Sequence, residues 1–241
     1  IDARERAVIE ARESEEQMRA FVADASHELR TPLTAVGGYA ELYRQGAIPP
    51  DGVPVAFDRI EGEAARMTDL VDDLLLLARA DQHRPLAHHR TDLLAVVSDR
   101  VAAFASAYPA TRVDVQVAPG TAPPEVTGDA ARLGQVVTNL LTNAARHGGG
   151  QVAIEIAAED SGWVSVRVID HGPGVPDIDK QRIFARFVRG DATRSRGSGG
   201  SGLGLSIVAA IVSAHAGVVS VSDTPGGGAT FCVRLPAAPA T

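Results

Sequence analysis

The feature that most constrains the fold is a helical spacing of apolar residues in the first part of the chain. In residues 1–46, apolar side chains recur at intervals of three and four, which places them on one face of an α-helix. These positions are Val8, Ala11, Met18, Val22, Ala25, Leu29, Val36 and Tyr43. A second stripe runs from about Val55 to Asp81 and consists of Ile60, Ala64, Met67, Val71, Leu74 and Ala78, widened by Leu70, Leu75 and Leu77.

Glycine and proline residues between the two stripes, over 46–52, predict a loop that joins the helices into an antiparallel hairpin. The hairpin cannot bury so wide an apolar face by itself, and a second copy would cover it. The sequence therefore predicts a homodimeric four-helix bundle. Pro32 lies inside the first helical pattern and predicts a kink there.

The pattern changes after the second helix. Residues 83–91 are polar, contain Pro85 and predict a linker, whereas the chain from Asp92 alternates between helices and strands. Helices are predicted at 93–108, 130–147 and 203–216, and strands at 113–117, 152–156, 164–168, 218–221 and 229–235. The predicted fold is thus an α-helical hairpin forming a dimeric bundle, followed by an α/β sandwich with helices on one face of a mixed sheet.

Composition excludes several classes of function. The net charge is -7, so no basic surface for nucleic acid is expected. No run of eighteen apolar residues occurs, so no membrane contact is expected within this segment. Cys232 is the only cysteine, which excludes an intrachain disulfide and indicates a reducing compartment. Because the chain begins at Ile1 inside a charged helical pattern, it is expected to be a fragment of a longer protein.

His27 is a candidate nucleophile. It lies two residues from the stripe positions on either side, and at about 100° per residue it points away from the bundle. Glu28 adjoins it, and Thr31 follows one turn later on the same face. A neutral imidazole can attack phosphorus, and a carboxylate can hold the proton of the other ring nitrogen. An exposed histidine is usually an ordinary surface residue, so this interpretation depends on the motifs that follow.

Asn139 and Asn143 lie at i and i+4 on a predicted helix, and both amides project from one face. Amide oxygens can ligate Mg²⁺, although paired amides can equally cross-link a core. Arg146 and His147 follow one turn later, where they could reach phosphates.

Asp170 ends a predicted strand and is followed by Gly172 and Gly174. An aspartate there can accept a hydrogen bond from the exocyclic amine of adenine, and the glycines let backbone approach the base. The spacing Asp-x-Gly-x-Gly is also common in plain turns, so it has low specificity by itself.

A glycine-rich segment leads directly into the last predicted helix. It contains Gly200, Gly202, Leu203, Gly204 and Leu205. Glycines before a helix N-terminus present free N–H groups to phosphate oxygens. The segment is neither a Walker loop nor a Rossmann fingerprint, because it lacks Gly-Lys-Ser/Thr and the βαβ context. Upstream lie Phe184, Phe187 and Arg189, and the two phenylalanines predict either a hinge for a loop over the nucleotide or plain core packing.

The order and separations of these motifs resemble those of the sensor histidine kinases, over about residues 18–236. The His-Glu-Leu-Arg-Thr-Pro string resembles their phosphoacceptor box, and the later segments resemble the asparagine, phenylalanine and glycine boxes of the GHKL (Bergerat) ATPase fold, shared with gyrase, Hsp90 and MutL. The resemblance implies a signalling-helix remnant at 1–17, a dimerisation and histidine phosphotransfer domain at 18–82, a linker at 83–91 and a catalytic ATP-binding domain at 92–238. Departures from the pattern are His147, where the family often has tyrosine, and a varied last glycine box at 228–230.

The function implied by the resemblance is ATP-dependent autophosphorylation of His27, followed by transfer to an aspartate of a response regulator. Glu28 would orient the imidazole and accept its proton, and Thr31 would orient a water for phosphatase activity toward the regulator. ATP and Mg²⁺ would be held by Asn139, Asn143 and the nucleotide-site residues named above, including Arg189. The partners implied are a second copy, through the hairpin, and a receiver domain, and the location is the cytoplasmic portion of a protein anchored in the bacterial inner membrane.

Three alternatives remain open from the residues. The chain could be a degenerate kinase that only binds nucleotide, or an ATPase clamp of the gyrase and Hsp90 sort, although the carboxylate that activates water in those proteins is replaced here by Asn139. Residues 1–81 could form a structural coiled coil, which leaves the outward His27 motif unexplained. His83, His88 and His89 lie close together, but no ligand pattern surrounds them and a metal site is not expected.

Overall fold

The computed structural model describes residues 3–80, 89–118, 124–148, 150–159, 162–185, 188 and 202–239. The chain divides into two compact units, Ile1–Leu76 and Leu77–Thr241.

The first unit is a helical hairpin. Helix α1 is Ala3–Arg44, a short 3₁₀ turn follows at Pro50–Gly52, and helix α2 is Val53–Ala80. Pro32 is buried inside α1 and does not end it. The helix ends because Gly46 adopts a left-handed φ of 66°, while Ala47 N–H donates to the carbonyl of Leu42 at 3.0 Å. This is a Schellman motif, and it matches the stop signal read from the sequence.

Apolar contacts join the two helices of the hairpin, and many apolar side chains remain outside. Tyr43 of α1 meets Phe57 of α2 edge to face, with ring centroids 5.7 Å apart. The remaining apolar surface is extensive, because nine large apolar side chains are exposed among the side chains described in this unit. They are Met18, Val22, Leu33, Leu42, Tyr43, Val55, Phe57, Val71 and Leu75. Single exposed apolar residues are ordinary, but so many on one hairpin indicate a surface for association.

The second unit is built on a five-stranded mixed sheet in the order β2-β4-β5-β7-β6, where β2 and β4 are parallel and the other pairs antiparallel. Its strands are β2 Arg112–Val117, β4 Gln151–Glu159, β5 Trp163–Asp170, β6 Val218–Asp223 and β7 Ala229–Pro236. Its helices are α3 Leu93–Ala107, α4 Ala130–His147, the short α5 Asp177–Lys180 and α6 Gly204–Ala214. A separate antiparallel pair joins β1, His89–Asp92, to β3, Glu125–Gly128.

The core of this unit lies on one face of the sheet, as the period-two alternation predicted. Ile154 pairs with Val168, which pairs with Phe231, and all three are almost fully buried. An apolar cavity lined by α4 residues such as Leu140 and by strand residues such as Val166 marks where the helix layer meets the sheet. The opposite face carries charge, for example the Glu155–Arg167 ion pair at 2.9 Å. The predicted layer arrangement is therefore confirmed.

Some short elements differ from the sequence prediction. Residues 89–91 of the predicted linker belong to β1, and neither β3 nor α5 was predicted. Thr91 is buried on β1 and donates its hydroxyl to the carbonyl of Gly128 at 3.0 Å, so the pair is held by contacts distant in sequence. Helix α6 is also shorter than predicted, because Ala216 takes a positive φ of 54° and ends it.

Candidate functional site

The second unit brings three separate segments together around Asp170, the last residue of β5. The side chain is buried, with 3% of its surface exposed. Its Oδ1 accepts a hydrogen bond from Gly172 N–H at 2.9 Å and another from Ala229 N–H at 3.2 Å. Both bonds use the same oxygen, so the orientation of the carboxylate is fixed. The second oxygen, Oδ2, can then accept a hydrogen bond from the amine of a ligand.

Backbone approaches backbone at this point, and glycine is required for it. A Cβ on Gly172 would lie 2.0 Å from the carbonyl oxygen of His147, and one on Gly228 would lie 2.0 Å from that of Asp170. No side chain fits at either position, because its Cβ would overlap main-chain atoms, which cannot turn aside as a flexible side chain could. The end of α4, the end of β5 and the β6–β7 turn are therefore locked together.

Gly174 lies in the same cluster and has a positive φ of 75°. The main chain of Gly228 lies close beside it in space. The ring nitrogen Nδ1 of His171 lies 3.3 Å from the carbonyl oxygen of Gly227. Lys180 of α5 donates to Asp177 and to Asp223, each at 2.7 Å. The segment after β5 is thereby attached to the end of β6 as well as to the turn.

The two asparagines lie on α4 and face the start of α6. Asn139 donates its Nδ2 hydrogen to the carbonyl of Gly204 at 3.2 Å, which leaves its side-chain oxygen for another partner. Asn143 is half-buried one turn later, and within the described part of the chain its amide makes no hydrogen bond. This pair offers two amide oxygens, which is a donor set suited to a hard cation such as Mg²⁺.

At the start of α6, Leu203 and the residues beside it have different roles. Leu203 is fully buried, and its carbonyl accepts from Ser206 Oγ at 2.8 Å and from Ile207 N–H at 2.9 Å. Gly202 has a left-handed φ of 70°, and Leu205 is half-buried. Leu203 therefore anchors the helix, whereas the first N–H groups of α6, which have no acceptor within the helix itself, can donate to an anion.

Arg146 and His147 lie in the last turn of α4 and are exposed. The pKa of His147 is lowered, first because the imidazole is partly withdrawn from solvent and then because Arg146 is close, against an opposing effect of Asp170. The ring is therefore neutral at neutral pH, and Arg146 carries the positive charge at this end of the helix.

A buried histidine that sequence reasoning did not select couples α4 to α6. His215 donates from Nδ1 to the carbonyl of Ile211 at 2.8 Å, and its Nε2 accepts from Asp129 N–H at 3.0 Å. Asp129 caps α4, so the ring joins the end of α6 to the start of α4. Thr224 and Thr230 were also missed as a pair: their hydroxyls lie 2.8 Å apart within the β6–β7 hairpin. No local pattern reveals either contact, because each depends on tertiary pairing.

The candidate nucleophile His27 is exposed on α1, as the stripe predicted. Thr31 donates its hydroxyl back to the carbonyl of His27 at 3.5 Å. The Glu28 carboxylate lies 4.0 Å from the guanidinium of Arg66 on α2, and no hydrogen bond joins it to His27 among the described residues. The contact with Arg66 is between helices and has no signature in the sequence.

Several predicted positions lie outside the described residues: Phe187, Arg189, Gly200, His83 and His88. Phe184 is described and meets Phe231 edge to face at 6.4 Å, which is a core contact.

Within the described ranges, no group of three or more His, Cys, Asp or Glu side chains could hold a metal ion. None of the helices described here combines the length and apolar character that crossing a membrane requires.

Two family models match the chain. Residues 17–83 match the His Kinase A (phospho-acceptor) domain, and residues 128–239 match the Histidine kinase-, DNA gyrase B-, and HSP90-like ATPase. Among curated proteins, the chain is 46% identical over 232 residues to the probable sensor histidine kinase TcrY of Mycobacterium tuberculosis, covering 95% of this chain and 48% of TcrY. It is 37% identical to the histidine-protein kinase/phosphatase MprB of Mycolicibacterium vanbaalenii, covering 94% and 48%. The chain spans about half the length of these curated relatives.

Two solved structures to which the chain is similar are also histidine kinases. A mycobacterial sensor histidine kinase MprB structure is 30% identical with a TM-score of 0.54, covering 64% of this chain and 99% of that one. The Acinetobacter baumannii histidine kinase AdeS is 26% identical with a TM-score of 0.72, covering 88% and 98%.

Proposed function

Because the chain belongs to the sensor histidine kinases, we propose that it transfers the γ-phosphoryl group of ATP to His27 and then to an aspartate of a response regulator. The observation that carries the proposal is the combination of an exposed histidine on a helical hairpin with a buried, oriented Asp170 in a second unit. We propose residues 18–82 as the dimerisation and phosphotransfer domain, and 92–238 as the catalytic ATP-binding domain.

ATP binding in the second unit is supported by the match to the ATPase family. Asp170 Oδ2 would accept a hydrogen bond from the adenine amine, because Oδ1 is already occupied by two backbone donors. Gly172 and Gly174 would let the backbone lie close to the base, and the N-terminus of α6 from Gly204 would bind phosphate oxygens. Arg146, exposed at the end of α4, and Arg189 would contribute positive charge.

We propose Asn139 and Asn143 as the ligands of Mg²⁺. The side-chain oxygen of Asn139 remains free when its nitrogen donates to Gly204, and the amide of Asn143 has no competing partner among the described residues. When bound, the ion would neutralise charge on the transferring phosphate.

In the phosphorylation step, one imidazole nitrogen of His27 attacks the γ-phosphorus. An N–P bond forms, the bond from the γ-phosphorus to the bridging oxygen breaks, and ADP leaves with that oxygen. Glu28 would orient the ring and accept the proton of the other nitrogen. The main contribution of the protein is positioning, since phosphoryl transfer needs little covalent chemistry from side chains.

The proposed partners follow from the hairpin. Its exposed apolar side chains support a homodimer, and the surface around His27 is the proposed docking site for a receiver domain. Thr31 lies one turn from His27 and would orient a water molecule for phosphatase activity toward the phosphorylated regulator. ATP and receiver domains are found in the cytoplasm, so we propose that the chain is the cytoplasmic part of a receptor anchored in the inner membrane.

A radiolabelling experiment tests the proposal. Incubation with γ-labelled ATP should give an acid-labile label on the protein, and His27→Gln should abolish it. His89→Gln is a matched control, because His89 is an exposed histidine on β1 outside the proposed site. Label that persists in His27→Gln would overturn the proposal, and ATP hydrolysis without any label would favour an ATPase clamp.

A further inference from the structure

We infer that Arg66 is a positioning residue, for which Glu28 and Glu63 compete, and that this competition controls whether Glu28 can serve His27. The inference rests on the proposed function, since it concerns the proton acceptor of the phosphorylation step.

The three side chains form a small charged cluster between α1 and α2. The two terminal nitrogens of the Arg66 guanidinium face different acids: Nη2 lies 4.0 Å from Glu28 Oε2, and Nη1 lies 3.8 Å from Glu63 Oε2. All three side chains are partly shielded, with exposed fractions of 38% for Arg66, 25% for Glu28 and 31% for Glu63. The cluster therefore lies at the helix interface rather than in open solvent.

Neither contact is a formed hydrogen bond. Charge-assisted N–H···O bonds are about 2.7–2.9 Å long, so both separations in the cluster are about an ångström too long. In addition, Glu63 Oε2 is buried and makes no hydrogen bond. A buried acceptor without a donor destabilises a fold, which indicates that the cluster is not arranged for stability alone.

Glu63 lies on α2 with Arg66, so a small shift of α2 against α1 changes the distance from Arg66 to Glu28 only. A shift that brings the helices closer here completes the contact with Glu28 and draws the guanidinium from Glu63, whereas a shift apart leaves Arg66 to Glu63. When Arg66 bonds to Glu63, the Glu28 carboxylate is released and can turn toward His27. When Arg66 bonds to Glu28, the carboxylate is held against α2 and away from the ring. Shifts of one helix against another by one or two ångströms are common in switching proteins. A movement of the helices thus determines whether Glu28 is available as the proton acceptor for His27.

Two single substitutions should have opposite effects on autophosphorylation. Arg66→Gln removes the cation that competes with His27 for Glu28, so the rate at saturating ATP should rise by about threefold, within the range that partly exposed ion pairs produce. Glu63→Gln leaves Glu28 as the only acid within ion-pair distance of Arg66 among the described residues, so the rate should fall by a similar factor. The KM for ATP should remain unchanged in both, because the cluster belongs to the first unit and nucleotide binds in the second.

A double variant distinguishes this role from a structural one. If Arg66 acts through Glu28, then Arg66→Gln should have no effect on the rate in a Glu28→Gln background. Circular dichroism and sedimentation should show that each variant folds and associates like the unsubstituted chain. Arg66→Lys is the conservative control and should retain the unsubstituted rate within about twofold, because the charge remains. If Arg66→Gln does not fold, Arg66→Met replaces it with the same expected rise in rate.

The result that would overturn the inference is a change of the same sign in Arg66→Gln and Glu63→Gln, or an Arg66→Gln effect that persists without Glu28. That result differs from failure of the proposed function, in which the unsubstituted chain itself acquires no acid-labile label.

Discussion

At Asp170 the two carboxylate oxygens differ in their surroundings. Two backbone N–H groups donate to Oδ1, and the resulting orientation leaves Oδ2 for the adenine amine that we propose as its partner. Under that proposal, recognition depends on which atom occupies the second position as well as on the negative charge. An asparagine at this position separates the two contributions, because its oxygen can still accept both backbone hydrogen bonds.

We expect Asp170→Asn to lower the affinity for ATP by at least about tenfold, equivalent to about 1.4 kcal/mol. The amide nitrogen would face the adenine amine, so two donors would meet. Titration calorimetry measures the affinity, and emission of Trp163, the only tryptophan, reports whether the second unit remains folded. Asp114→Asn on β2 is the matched control and should bind normally. An unchanged affinity in a folded Asp170→Asn would contradict the assigned role.

Individual site residues differ in how far the sequence reveals them. His27, Asn139 and Asp170 were identified because each lies in a motif whose spacing is local. Arg66 and His215 were not, because their partners are on other helices and only the tertiary fold brings them together. The roles of the identified residues in catalysis and binding stay predictions until the variants are measured.

At the scale of elements, α1 and α2 present an apolar face that one hairpin leaves open. On α2, Val71 and Leu75 lie one turn apart and remain 42% and 48% exposed. Residues at i and i+4 share a helix face, so these two side chains form part of one continuous surface. The proposed dimer would remove that surface from water.

Replacing both Val71 and Leu75 with glutamate should convert the dimer to monomers at micromolar concentrations, because burial of two unpaired carboxylates strongly disfavours association. Sedimentation velocity measures the change in mass. Gly62→Glu is the control: it adds a charge to the same helix at an exposed position with open space beside it, and it should remain dimeric. A double variant that still sediments as a dimer would place the association surface elsewhere.

The long elements were predictable, and the short ones were not. Helix α4 and strands β4 and β5 carry strong periodicity, and their positions match the prediction closely. Strand β1 has only four residues, all of them polar or charged, so it resembles a linker. It forms because Thr91 is buried against β3 and because Arg90 bonds to Glu125 at 2.7 Å. Pairing between such short, distant segments leaves no periodic signal.

At the scale of the whole molecule, the two units carry titrating groups whose effects on stability oppose each other. In α2, burial and the neighbouring Asp69 and Asp72 raise the pKa of Asp73 to about 6. In the second unit, the pKa of His147 is lowered, chiefly by loss of solvent. The folded first unit therefore binds more protons than its unfolded form in mild acid, and the folded second unit binds fewer.

Acidification from about pH 7.5 to about pH 5.5 should consequently stabilise the hairpin and destabilise the ATP-binding unit. In the hairpin, protonation of Asp73 near pH 6 removes a partly buried negative charge beside two other aspartates. In the ATP-binding unit, the unfolded chain gains a proton at His147 near pH 6.5, and the folded chain does so only at lower pH. Thermal unfolding followed by far-UV circular dichroism and by Trp163 emission separates the two transitions. Asp73→Asn should remove the gain of the hairpin in acid, and His147→Gln should remove the loss in the other unit. Both transitions moving in the same direction, with no change in the variants, would refute these assignments.

The contacts of Gly172 with His147 and of Gly228 with Asp170 have a consequence for divergence. Because main-chain atoms make these contacts, neighbouring side chains can be exchanged over evolutionary time without opening them. The insertion or loss of one residue in the β6–β7 turn would displace Gly228 and break its contact with Asp170. The base site that we propose around Asp170 should therefore tolerate substitutions and be sensitive to changes in length.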